Sequence, residues 1–167
     1  MKNKLESLIR AVPDFPKPGV VFKDISPLMK DHWSDMVSLM AEDIPWKDID
    51  YVVGIESRGF ILGSAMAIKH NKGFIPVRKK GKLPPPVHSE SYALEYGTDT
   101  LEMSHNSISA RVLIVDDVLA TGGTLKAVIN LCERNNFIVT GMSVFINLAF
   151  LNKFKEDKLP LFSVFDY

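Results

Sequence analysis

The stretch RVLIVDDVLATGGT, from Arg111 to Thr124, decides how this chain folds. It opens as an unbroken apolar run, Val112-Leu113-Ile114-Val115, with the β-branched content of a strand buried on both faces of a sheet. The adjacent carboxylates Asp116 and Asp117 are predicted to end that strand. The small residues Ala120, Thr121, Gly122, Gly123 and Thr124 then turn into a helix whose apolar stripe, Leu125, Val128, Leu131 and Cys132, recurs at helical spacing. In an open parallel sheet, ligands bind beyond the carboxyl ends of the strands. Amides at a helix N-terminus attract an anion, and glycines let a phosphate come close to the backbone. Thr121 and Thr124 add hydroxyl donors. A pair of acids is called for only if the ligand also donates hydrogen bonds, as the 2- and 3-hydroxyls of a ribose do. The stretch therefore predicts a site for a phosphorylated ribose. It contains neither Gly-x-x-x-x-Gly-Lys-Ser/Thr nor Gly-x-Gly-x-x-Gly, so it signals neither a common triphosphate loop nor a dinucleotide loop.

Outward from that stretch, strands and helices alternate. Residues 3–11 read as a short helix with Leu5, Leu8 and Ile9 on one side, before Pro13, Pro16, Pro18 and Gly19 break regular structure. Val20 to Phe22 is a brief strand, and 31–43 has helical periodicity through Trp33, Met36, Val37 and Met40. Tyr51 to Ile55 is an apolar strand ending at Glu56-Ser57-Arg58-Gly59, followed by a helix from Phe60 to Lys69 and a strand from Phe74 to Val77. Residues 80–91 are loop-like, and alternation on either side of Gly97 suggests a hairpin-like excursion. Ile138 to Leu148 supplies another strand, and the tail from Leu159 to Tyr167 is apolar enough to dock. This order predicts an α/β fold of one domain, 1–167, with a mostly parallel twisted sheet flanked by helices.

Composition narrows the function. Of 167 residues, 46% are apolar and 24% charged, ordinary for a soluble globular domain. Twenty basic residues balance twenty acidic ones, so there is no general attraction for nucleic acid or an anionic membrane. No apolar stretch approaches the length of a membrane span, and the N-terminus does not read as a signal-peptide core. The single cysteine, Cys132, sits on an apolar helix face and reads as packing, and no disulfide can form within the chain. His32, His70, His88 and His105 show no paired metal-ligand spacing. A reducing, cytoplasmic compartment is consistent with all of this.

Three further segments carry chemistry. Ser57 and Arg58 stand at a predicted strand end, where a planar guanidinium can hold a diphosphate and Gly59 frees the next amide for close approach. Arg78, Lys79, Lys80 and Lys82 put four cations into five positions. A charge run is usually a solvated face, but this one leads from a strand into a long excursion, which suits a diphosphate-binding edge with a lid beyond it. Arg78, Lys79 and Lys82 are the candidates there. Within Leu94-Glu95-Tyr96-Gly97, Glu95 is either an exposed strand residue or a carboxylate that, shielded from water, exchanges a proton with a ligand.

Asp116 to Thr124 matches the phosphoribosyl diphosphate (PRPP) signature of the type I phosphoribosyltransferases, and its Ala-Thr-Gly-Gly-Thr ending resembles their adenine-specific branch. The resemblance extends over nearly the whole chain. Asp14 to Gly19 and Phe22 to Pro27 are similar to that family's hood over the base, and Val53 to Phe60 to its pyrophosphate turn, which there contains a cis peptide, here expected at Glu56-Ser57. Gly81 to Pro84 and Ser91 to Gly97 are similar to its lid. Two departures are Pro85, where glycine is common, and Lys23, where arginine is frequent. The resemblance implies transfer of phosphoribose from PRPP to adenine, giving AMP and pyrophosphate in purine salvage. It implies Glu95 and Arg58 as catalytic residues and Asp116, Asp117 and 120–124 as the ribose-phosphate site. Ser57, Arg58, Arg78, Lys79 and Lys82 would bind pyrophosphate, Val21, Phe22 and Lys23 adenine, and Tyr96 would help close a mobile lid, with the hood at 1–30 and the lid at 80–104. It further implies Mg2+ held through PRPP and water without a dedicated protein cage, and a homodimer. The alternatives are an enzyme of the same fold acting on another base, and a PRPP-sensing regulator.

Overall fold

The computed structural model describes residues 1–15, 17–93, 97–154 and 158–167, which form two compact units, 1–42 and 43–167. In the first, α1 (Lys2–Glu6) is followed by an antiparallel pair, β1 (Arg10–Pro13) and β2 (Val21–Asp24), then by α2 (Ser26–Asp31) and α3 (Trp33–Ala41). The helix expected over 3–11 thus stops at Glu6. Arg10 is drawn into strand pairing opposite Asp24, whose carboxylate takes its guanidinium at 2.6 Å. The periodicity read at 31–43 becomes α3, which buries Met36, Val37 and Met40.

In the second unit, seven strands among the described residues form one sheet. These are β3 (Tyr51–Ile55), β4 (Gly73–Lys79), β5 (Val87–Ala93), β6 (Thr98–Ser104), β7 (Ala110–Leu119), β8 (Phe137–Asn147) and β9 (Leu161–Asp166). Their order is β5-β6-β4-β3-β7-β8-β9, with α4 (Arg58–Lys69) joining β3 to β4 and α5 (Gly123–Arg134) joining β7 to β8. β4, β3, β7, β8 and β9 are mutually parallel, and the β5–β6 hairpin adds antiparallel strands at one edge. Residues 87–91, expected in a loop, belong to β5, and the docking tail is the parallel edge strand β9.

Alternation of side chains assigns the two faces. Val53, Ile55, Val112 and Ile114 pack with Leu125, Val128, Leu131 and Cys132 of α5 in one buried cluster. Val52 and Leu113, one residue out of phase, are equally buried, and Val52 meets α4 at Gly63. The crossovers from β3 and from β7 run to opposite edges of the sheet, so the boundary between these two strands is its topological switch point, where α/β sheets place their ligands.

Candidate active site

At that switch point a cleft of about 570 Å³ opens, lined by the segment after β3 (Glu56, Ser57, Arg58), by Asp116 and Asp117 within β7, by Lys79 at the end of β4 and Lys82 beyond it, by Tyr92 and Asp99 of the hairpin, and by Thr124 of α5. The peptide between Glu56 and Ser57 is cis, as the resemblance implied, and Ser57 stands at the N-cap position of α4 without a side-chain capping bond. Gly59 is required by packing. A Cβ there would stand 2.7 Å from the Val115 carbonyl oxygen and 3.0 Å from Asp116 Oδ1, so only glycine lets the first turn of α4 press against the end of β7.

β7 runs past its acid pair. Asp116 pairs with Val144, Val118 with Ile146 and Leu119 with Asn147, because β8 is long enough to extend the ladder. The strand therefore does not end at the carboxylates as expected. Asp116 Oδ1 accepts the Asp117 amide at 2.9 Å, and the two side chains fall on opposite sides of the strand. Burial, then the adjoining Asp117 charge, pushes Asp116 well above the ordinary carboxylate range. Asp117 is buried with Oδ2 2.7 Å from Arg58 Nη2, yet that oxygen receives no aligned hydrogen bond and keeps an acceptor position unfilled. After Leu119 the chain bends through Ala120 and Thr121 to Gly122, whose φ of +92° sets the entrance to α5. A Cβ on Gly122 would lie 2.6 Å from the Phe154 ring. The first amides of α5 lack intrahelical acceptors by construction, and Thr124 beside them lines the cleft.

The opposite wall is built from paired charges. Glu56 Oε2 accepts the Lys79 amide at 3.0 Å and faces Arg78 Nε at 3.4 Å, while Oε1 accepts the Lys82 ammonium. That lysine, helped by the Lys79 amide and Arg78, holds Glu56 down at about 2. Arg78 also donates to the Lys82 carbonyl at 3.2 Å, and its guanidinium lies 5.9 Å from the Phe60 ring centroid. Lys79 Nζ meets Asp99 Oδ2 at 3.1 Å, and the Tyr92 hydroxyl interacts with Asp99 and Thr124. The turn itself is held by Lys80 N donating to Thr100 O at 3.1 Å and by Gly81 N donating to the buried Glu102 at 2.9 Å.

The cleft thus brings together Ser57, Arg58, Lys79, Lys82, Asp116, Asp117 and Thr124 of the predicted set. Arg78 joins it through Glu56 and does not line it directly. Val21, Phe22 and Lys23 lie on β2 of the first unit, with Phe22 edge-on to Phe15 at 5.3 Å. Glu95 and Tyr96 lie outside the described residues. Sequence reasoning missed Glu56 as a partner of the cations, and Tyr92, Asp99 and Glu102. The available signal was strand register, since pairing Ile55 with Val77 places Glu56 beside Arg78.

The family model of the phosphoribosyl transferase domain matches residues 25–147. An adenine phosphoribosyltransferase of Brachyspira hyodysenteriae is 52% identical over 169 aligned positions, covering 98% of this chain and 99% of its own length. Among solved structures, the adenine phosphoribosyltransferase of Rhodothermus marinus superposes with a TM-score of 0.91 at 46% identity, over 99% of this chain and 98% of that one. The Saccharomyces cerevisiae adenine phosphoribosyltransferase, in complex with an imino-altritol bisphosphate and adenine, gives a TM-score of 0.81 at 32% identity, over 98% and 97% of the two chains.

Proposed function

The chain belongs to the adenine phosphoribosyltransferase family, and on that premise we propose that it joins adenine to the phosphoribosyl group of PRPP, releasing pyrophosphate and forming AMP. The observation that carries this reading is the cleft at the switch point. It gathers Asp116, Asp117 and Thr124, at the start of α5, with the cations Arg58, Lys79 and Lys82. A sugar carrying a 5-phosphate, two free hydroxyls and a diphosphate has one group for each of these features.

Residues 120–124 anchor the 5-phosphate. Asp116 and Asp117 accept hydrogen bonds from the ribose hydroxyls, for which the unfilled Asp117 Oδ2 is suited. Ser57, Arg58, Arg78, Lys79 and Lys82 receive the diphosphate, and stabilising its departing charge is the main catalytic task. Val21, Phe22 and Lys23, within the hood at 1–30, take adenine, the base that the yeast relative was solved with. Glu95 exchanges the proton that the base must move, and a lid spanning 80–104, which Tyr96 helps to close, keeps water from the activated sugar.

Magnesium fits this chemistry. The cations of the cleft are matched by its own acids, Glu56 with Arg78 and Lys82, Asp99 with Lys79 and Asp117 with Arg58, so little net positive charge remains for a polyanion. Among the described residues no three His, Cys, Asp or Glu side chains gather into a metal site. Asp116 and Asp117 would approach the ion through PRPP and water, and when bound it neutralises diphosphate oxygens. Ile61 and Ile68, exposed and two turns apart on α4, support a homodimer. None of the described helices is long and apolar enough to cross a membrane, which agrees with a cytoplasmic enzyme.

Incubating the protein with radiolabelled adenine, PRPP and magnesium should yield labelled AMP, with hypoxanthine, xanthine and orotate failing to compete. Glu95→Leu should lower kcat by about 10²-fold or more while leaving PRPP affinity in place. Binding of PRPP without any turnover of adenine would instead identify a sensor.

A further inference from the structure

Three acids face the cations of the cleft, but they are not equivalent. Asp117 faces Arg58, and Asp99 takes Lys79, the Thr100 amide and the Tyr92 hydroxyl, whereas Glu56 takes three donors from one turn that carries two of the diphosphate candidates: Arg78 Nε, the Lys79 amide and the Lys82 ammonium. Its side chain lines the cleft with 11% of its surface exposed, so it has little water to fall back on. A diphosphate in the same cleft needs the Arg78 and Lys82 donors and is repelled by the Glu56 charge.

Resting on the diphosphate reading above, we propose that Glu56 is an internal rival of pyrophosphate. Its carboxylate competes for Arg78 and Lys82, keeps product binding weak and speeds product release by taking those cations back. Tight, uniform binding of a leaving group adds nothing to the chemical step and slows turnover wherever release is limiting. An acid beside the leaving-group site corrects for this. The turn does not need the Glu56 charge to keep its shape, because Lys80 is tied to Thr100, Gly81 to Glu102 and Arg78 to the Lys82 carbonyl. A glutamine at position 56 retains an oxygen for the Lys79 amide. Removing the charge therefore frees the cations without dismantling the turn that carries them.

The direction of the effect separates this role from a structural one, since damage to the turn weakens binding and loss of a rival strengthens it. Titration calorimetry with inorganic pyrophosphate and magnesium should show Glu56→Gln binding at least about fivefold more tightly than wild type, the low end of ordinary coupling between two sites. Ribose 5-phosphate, which lacks the diphosphate, should bind both proteins alike. Equal or weaker pyrophosphate binding by a variant that still takes ribose 5-phosphate overturns the proposal. Failure of wild type itself to bind pyrophosphate would strike the diphosphate reading instead. Should the variant not fold, the wild-type protein decides. The carbon resonance of the Glu56 carboxylate must move when pyrophosphate is added and stay in place with ribose 5-phosphate, and no movement in the pyrophosphate complex rules the rivalry out.

Discussion

Glu56, just past the end of β3, and Asp116, within the neighbouring parallel strand β7, line the same cleft, yet their surroundings push them in opposite directions. Three donors gathered around Glu56 hold it down at about 2, whereas burial beside a second acid drives Asp116 up. The β3 side is an ion-pair lattice drawn from three separate segments, complete in itself. The β7 side is one continuous stretch of chain with an excess of acid and an unfilled carboxylate oxygen. The lesson is that one wall holds its cations paired to acids from other segments, while the other keeps two acids side by side with one carboxylate oxygen lacking a hydrogen bond.

The sharpest way to break this contrast is at Asp117. Asp117→Asn removes the counter-charge to Arg58 and turns one of two acceptor oxygens into a donor, and if the acid pair holds the ribose it should lower kcat/KM for PRPP by about 10²-fold, the worth of a hydrogen bond to a charged group made in the transition state. Steady-state rates of AMP formation measure it, and a variant within about twofold of wild type would remove the acid pair from ribose binding. A smaller effect is expected where the two walls touch. Gly59→Ala drives a methyl against the Val115 carbonyl, which cannot swing away as a side-chain tip could. It should cost about 2 kcal/mol in urea unfolding and displace Asp116 as well. An unchanged midpoint would show that α4 does not press on β7 as closely as this geometry requires.

The two walls also differ in how far they could be read from residue order. The β7 side is local: strand, acids and glycine turn occupy 111–124 without interruption, so their chemistry is legible without a fold. Even there the strand was read too short, since the pairing that carries β7 to Leu119 is supplied by β8, where Asn147 is the partner of Leu119. The β3 side depends on register. Nothing in Glu56-Ser57-Arg58 announces that Lys82 will reach back to it, and only the parallel pairing of β3 with β4 brings them together. The same dependence explains the N-terminus, where Leu5, Leu8 and Ile9 have helical spacing but Arg10 gains more by pairing with Asp24 across a strand. It also explains the tail, whose apolar residues gave no hint of partner or direction until β8 offered a parallel edge.

The smallest effect tests the contrast most directly, because it has opposite signs on the two walls. A carboxylate whose pKa falls on folding stabilises the protein above its unfolded value and loses that contribution as pH drops towards its folded one. For Glu56 the window runs from about 4.5 down to about 2. Glu56→Gln should therefore lower the Tm at neutral pH and flatten the loss of stability across that acid range. Asp116 is raised, so it acts the other way: the folded state pays for its ionisation at every pH above about 3.8, and the penalty grows until the folded group has titrated. Asp116→Asn should raise the Tm at pH 7, and the gain should fade as pH falls below 3.8, where the acid is protonated in both states. At this chain length about 1 kcal/mol moves the Tm by roughly 2–4 °C, so thermal melts between pH 3 and 7 resolve the sign even where the magnitude is small. If both variants shifted in the same direction at pH 7, the two carboxylates would not be in the opposed environments that distinguish the ion-paired wall from the acidic one.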